Sequence, residues 1–171
     1  MTYNTLESAT RNAVCNTLGA KSENFDAWLN TCDPDEGLEV EGFDFGTTVE
    51  LSFDPSVSPF SYFSSDVVFY VNVDENRGTG NVQAFFGSSC YDMDAAEVAA
   101  ESFLDRDEAD GWFVGDEFDE VSGLHLVRTF SVDPDNYADI FSKITTCFAE
   151  LCGSEISDKL RSFIHYFEDE L

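Results

Sequence analysis

The sequence predicts an α+β fold in a single domain: a mostly antiparallel sheet of about five to six strands, helices packed on it, and a C-terminal helical pair. Three observations predict it. Apolar residues recur at helical spacing near both ends of the chain and alternate with a period of two through its middle. The alternating runs follow one another across short turn clusters, which favours antiparallel pairing. Hydrophobic residues make up 43% and aromatics 15% of 171 residues, with 17 Phe, enough to fill one core. No repeat, low-complexity linker or composition shift divides residues 1–171, so they are expected to form one acidic α+β domain.

The elements follow in order. Residues 4–18 predict a helix with Leu6, Ala9, Ala13, Val14 and Leu18 near one face, stopped by Gly19. Residues 23–31 predict a short second helix, and Asp33-Pro34-Asp35-Glu36-Gly37 a turn. Leu38, Val40, Phe43 and Phe45 alternate with a phase change at Gly42 that suggests a bulge. Val49, Leu51 and Phe53 predict the next strand, and residues 55–65 a loop rich in Pro and Ser. Val67, Phe69, Val71 and Val73 point one way, with Val68 and Tyr70 pointing the other. Asn76 to Gly80 predicts a turn, and Val82 to Phe86 the returning strand.

The pattern becomes helical over residues 93–109, then Trp112-Phe113-Val114 predicts a short strand. Asp119 to Gly123 predicts a turn and Leu124 to Val132 a longer strand. Asp133-Pro134 offers a helix start with proline at the first position. Tyr137, Ile140, Phe141, Ile144, Phe148 and Leu151 form the apolar stripe of that helix, ended by Gly153. Ser154 can cap a last helix carrying Ile156, Leu160, Phe163, Ile164, Phe167 and Leu171.

This order of elements resembles the type III secretion chaperone-like fold, including the YbjN family: helix, three strands, helix, two strands, helix. The closest local likeness is Leu124 to Val132 followed by Asp133 to Leu151, an apolar strand running through a short polar turn into an amphipathic helix. The helix at residues 23–31 and the last helix depart from the pattern. The resemblance implies a non-enzymatic, often dimeric binding protein, and it implies no catalytic residues.

Charge is the outlying property. Thirty-five Asp and Glu face 8 Lys and Arg, a formal net charge of −27. Small domains are comfortable at a magnitude of about 2–8, and a larger excess destabilises the compact state through self-repulsion. A cationic partner, bound cations or a salty environment would offset that cost. Direct binding to nucleic acid is disfavoured, because Lys and Arg are what displace counterions from phosphates. Anionic membranes are disfavoured for the same reason.

The acids concentrate: 21 of 35 follow residue 90, and 12 lie between residues 92 and 120, where Arg106 is the one base. On the predicted helix, Asp94, Glu97, Glu101, Asp105 and Glu108 follow steps of 3, 4, 4 and 3, which keeps them on one face. At the helical rise they are about 5 Å apart, of the order of phosphate spacing along a nucleic-acid strand, roughly 6–7 Å. With Asp116, Glu117, Asp119 and Glu120 they form the expected partner-binding surface. The competing explanation is a solvated face opposite alanine-rich packing. Against it, a helix built for stability alone would carry Lys or Arg four residues from its acids.

Metal and catalytic chemistry find little support. Asp105, Asp107 and Asp116 match positions 1, 3 and 12 of an EF-hand loop, but Gly111 falls one position late, Ala109 stands where a ligand is needed, and no second helix follows. No zincin, CxxC, nucleophile-elbow, P-loop or dinucleotide pattern occurs. His125 and His165 are the 2 histidines, each expected to be a surface or packing residue. Cys15, Cys32, Cys90, Cys147 and Cys152, odd in number and scattered, suit free thiols in a reducing cytosol better than a disulfide framework. No catalytic residue, metal or cofactor is therefore expected.

The expected function is a non-enzymatic acidic binding protein that engages a basic surface on a partner. Its sharpest form is a nucleic-acid-mimic inhibitor of a defence nuclease or other nucleic-acid-binding enzyme, of the anti-CRISPR or anti-restriction type. The alternatives are a chaperone-like dimeric adaptor, a halophile-adapted domain and, more weakly, an enzyme without a recognisable motif. Partners are expected to be basic proteins or a second copy, not nucleic acid or membrane. The N-terminal segment has no basic n-region or apolar h-region, and no apolar run reaches about 20 residues, so a cytoplasmic location is expected, in the host for a phage-encoded protein.

Overall fold

The computed structural model of the protein describes residues 1–18, 46–53, 67–86, 111–115, 124–153, 156 and 158. Helix α1 (Tyr3–Leu18) precedes strands β1 (Thr47–Phe53), β2 (Val67–Asp74), β3 (Thr79–Phe86), β4 (Phe113–Val114) and β5 (Leu124–Ser131), and helix α2 (Tyr137–Leu151) follows. The strands form one sheet in the order β1-β2-β3-β5-β4, and every pair is antiparallel. Four strands are long and β4 is two residues at one end of the order. An antiparallel sheet with two helices makes the described part an α+β structure. The segments predicted as a helix at 23–31, a strand over Leu38 to Phe45, a loop at 55–65, a helix at 93–109, a turn from Asp119 and an apolar stripe from Leu160 lie outside the described residues.

Strand register places the apolar residues on one face. Leu51, Phe69, Ala84 and Leu126 lie side by side across β1, β2, β3 and β5, and Val49, Val71 and Val82 form the adjacent row. All seven are buried, and they join Leu6, Ala13 and Val14 of α1 and Ile140, Ile144, Cys147, Phe148 and Leu151 of α2 in one core. Phe148 meets Phe69 edge-on, with ring centroids 5.2 Å apart at 86°. Trp112, ahead of β4, is fully buried and donates its indole N–H to the Cys147 carbonyl at 3.2 Å. Each large side chain so buried contributes about 1.5–3 kcal/mol.

Arg128 completes the Val49–Val71–Val82 row, a cation on the apolar face. It is satisfied at the end of α2, where its Nε donates to Glu150 at 3.0 Å. Next to it, Gly80 of β3 faces Phe130 of β5; a Cβ on Gly80 would overlap the Phe130 ring, so the glycine is what lets the aromatic lie across the strand.

Several boundaries differ from the sequence expectation for identifiable reasons. The β2–β3 turn is Glu75 to Gly78, not Asn76 to Gly80: Thr79 and Gly80 already pair in β3. The Asp74 carboxylate accepts from the Asn76 and Arg77 backbone N–H groups, each at 3.0 Å, and Gly78 closes the turn at φ +66°. Helix α2 does not start at Asp133-Pro134. The Asp133 side chain accepts from Asp135 N–H and its carbonyl from Asn136 N–H, both at 3.0 Å, which makes a turn. Asn136 is the cap, its side chain accepting from Asp139 N–H at 3.1 Å. Tyr137, expected in the stripe, is 37% exposed, and Cys147 takes a core position instead. In the short strand, Trp112 precedes β4 and only Phe113 and Val114 pair.

Candidate functional site

Asp94, Glu97, Glu101, Asp105, Glu108, Asp116, Glu117, Asp119 and Glu120, the partner-binding residues that the sequence predicts, lie outside the described residues, as do Asp107 and His165. The described residues bear on that surface through their charge ledger. They hold 9 acids and 4 bases, a net −5, so −22 of the total −27 belongs to the remainder of the chain. Each of the four bases faces an acid of this chain: Arg11 meets Glu7 at 3.0 Å, Arg77 meets Asp74 at 3.7 Å, Arg128 meets Glu150 at 3.0 Å and Lys143 meets Asp139 at 2.8 Å. Glu75 is held below the usual carboxylate range, first by a hydrogen bond from the Met1 amino group and then by one from the Tyr137 hydroxyl.

Two arrangements within the described residues bring polar groups together. The first is on the sheet face opposite the apolar one. There, Asn72, Asn81, Gln83 and His125 alternate with core residues along β2, β3 and β5 and are buried. Gln83 donates from Nε2 to Asn81 Oδ1 at 3.0 Å, and its Oε1 lies 2.8 Å from His125 Nε2. Since Gln83 Oε1 can only accept, His125 Nε2 carries the proton. Asn72 donates to the Thr48 hydroxyl at 2.8 Å. Burial lowers the His125 pKa to about 4, so the ring is neutral at physiological pH. Gly115 donates its N–H to the His125 carbonyl at 3.0 Å, and a Cβ there would overlap the imidazole. The arrangement is a neutral, hydrogen-bonded buried network, which holds strands in one register.

The second is a cleft of about 500 Å³ between α1 and α2, lined by Asn4, Ser8, Asn12 and Asn16 on one side and Phe141 and Thr145 on the other. Sequence reasoning found neither arrangement. The network was visible only as polar residues alternating with Val and Ala in β2 and β3, and the Asn4-Ser8-Asn12-Asn16 row only as polar residues four apart.

Among the described thiols, Cys147 is buried and Cys15 and Cys152 are partly buried. Burial raises Cys147 and Cys152 to about 12 and also raises Cys15. A rise of about three units cuts the thiolate fraction roughly a thousandfold. Cys147 and Cys152 are therefore expected to resist iodoacetamide at pH 8 in the folded protein and to alkylate fully in denaturant, as peptide mass mapping would record. Labelling of Cys147 at the rate of a free thiol would contradict its burial. Among the described residues no group of three or more His, Cys, Asp or Glu is placed to hold a metal ion, and no helix is long and apolar enough to cross a membrane.

No protein-family model, curated protein or solved structure matches this chain.

Proposed function

We propose that this protein is a non-enzymatic acidic binding protein that engages a basic surface on a partner protein. The observation that carries the reading is the distribution of charge: the described α+β scaffold accounts for −5, and −22 belongs to other residues, with 12 acids between residues 92 and 120. The scaffold's four bases are engaged with the scaffold's own acids, so they are not held in reserve to neutralise that excess. A dense anionic segment raises the encounter rate with a cationic surface and penalises anionic ones. In its sharpest form the partner is a nucleic-acid-binding enzyme, and Asp94, Glu97, Glu101, Asp105 and Glu108 stand in for backbone phosphates before its basic channel, as an anti-CRISPR or anti-restriction inhibitor would. Asp116, Glu117, Asp119 and Glu120 extend the same surface. The finer architecture, a sheet of five to six strands with a C-terminal helical pair, belongs to this proposal.

The test is capture of partners from host lysate at low salt, followed by elution with a salt gradient and by binding assays with a fivefold charge reversal, Asp94, Glu97, Glu101, Asp105 and Glu108 each to Lys. Association is expected to weaken at least about tenfold between low and high salt, as screening removes the attraction, and to be lost in the reversed variant while the thermal midpoint is retained. Binding that is indifferent to salt and to the reversal would reduce the charge to a matter of composition.

A second reading, a dimeric chaperone-like adaptor of the type III secretion chaperone kind, is favoured by the order helix, three strands, two strands, helix among the described elements. Sedimentation separates the two: the adaptor is a dimer in the absence of any partner.

A further inference from the structure

We propose that the cleft between α1 and α2 binds a neutral, hydroxyl-rich ligand, a saccharide of about one or two rings. Its volume, about 500 Å³, lies inside the range of small-molecule sites. One wall is the row Asn4, Ser8, Asn12 and Asn16, spaced four residues apart and therefore about 6 Å from one to the next along α1. All four are exposed, and no described side chain engages them. The opposite wall is α2, which contributes the half-buried ring of Phe141 and the hydroxyl of Thr145.

The chemistry of the lining selects the ligand. None of the nine lining residues is charged, in a chain where 25% of residues are. The two charged side chains of α1, Glu7 and Arg11, pair with each other. An anionic ligand is repelled by a body carrying −27, and a cationic one is drawn to carboxylates that the cleft lacks. A second copy would bring another −27 against the first. What remains is a neutral ligand recognised by hydrogen bonds. Each Asn amide presents a donor and an acceptor side by side, the complement of two adjacent hydroxyls; Ser8 can do either, and Thr145, whose hydroxyl donates to the Phe141 carbonyl at 3.0 Å, can accept. The Phe141 ring supplies an apolar wall for the C–H face of a sugar ring, backed by Tyr137 at a centroid distance of 6.1 Å. The cleft shares no residue with the acidic segment 92–120.

The test is a titration of the 15N-labelled full chain with glucose, mannose, galactose, N-acetylglucosamine and cellobiose, each to about 20 mM, followed by amide shifts. At least one is expected to give saturable shifts confined to residues 4–16 and 141–145, with a Kd of about 5 mM or tighter. Asn12→Leu, at an exposed position, removes a donor and an acceptor and is expected to weaken that binding about tenfold while the thermal midpoint stays put. The proposal is overturned if no sugar gives a saturable shift, or if Asn12→Leu binds as the parent does. It is also overturned if the same resonances move with protein concentration alone, which would make the cleft a contact between copies, or if the neutral peptide N-acetyl-trialanine amide binds there more tightly than every sugar.

Discussion

Phe148→Ala is expected to destabilise the protein by about 3–5 kcal/mol, the largest effect of any single substitution considered, because truncating a fully buried aromatic forfeits its transfer energy and leaves a cavity. Phe148 is 0% exposed and stacks edge-on against Phe69, which is also fully buried, so the loss includes an aromatic pair that spans helix and sheet. For a chain of this size the thermal midpoint should fall by roughly 10 °C. The control is Tyr137→Ala. Tyr137 belongs to the same apolar stripe in the sequence, yet it is exposed and its hydroxyl bonds Glu75, so little change in midpoint is expected. Thermal melts of the two variants side by side decide the matter: equal losses would mean that α2 does not present the face described to the sheet.

Acidification is expected to destabilise the protein through His125, by up to about 3 kcal/mol. The ring titrates near 6.5 when unfolded but near 4 in the fold, because burial disfavours the imidazolium. Between those values the unfolded chain holds a proton that the folded chain does not. The contribution is therefore complete above about pH 6.5, is lost as pH falls from 6.5 toward 4, and changes no further below that. Protonation of carboxylates acts in the opposite direction in part of this window, since it relieves the self-repulsion of a chain at −27. His125→Gln separates the two effects. Glutamine keeps an N–H donor for Gln83 Oε1 and does not titrate. Urea unfolding at pH 7 and pH 5 should show the parent losing more stability than the variant over that interval, and parallel losses would remove His125 as the cause.

The strands were legible because a pleated backbone sends successive side chains to opposite faces whatever surrounds it. Val49, Leu51, Phe69, Val71, Val73 and Val82 announce their shared face by alternation alone, and Leu6, Ala13 and Val14 do the same for a helix. The amount of charge and its concentration in residues 92–120 are likewise sequence properties, so the whole predicted acidic surface was named from composition and spacing. The sites within the described structure were not. The α1–α2 cleft joins residues 4–16 to residues 141 and 145, and no local pattern states that two helices from opposite ends of a chain lie together. Nor does alternation reveal that Asn72, Asn81, Gln83 and His125 are buried: polar residues opposite an apolar face are ordinarily solvated.

By itself, then, the sequence determined the α+β pattern, the antiparallel strands and the location of the charge, all of which follow from backbone periodicity and from counting. Tertiary structure decided where those patterns stop and which residues they enclose. It set Asn136 rather than Pro134 to open α2, because Asp133 spends its side chain and carbonyl on a turn. It buried Phe148 and Cys147 but left Tyr137 exposed. It also drew His125, Gln83 and Asn81 into one neutral network, since burial is a property of long-range contacts that no single stretch of chain encodes.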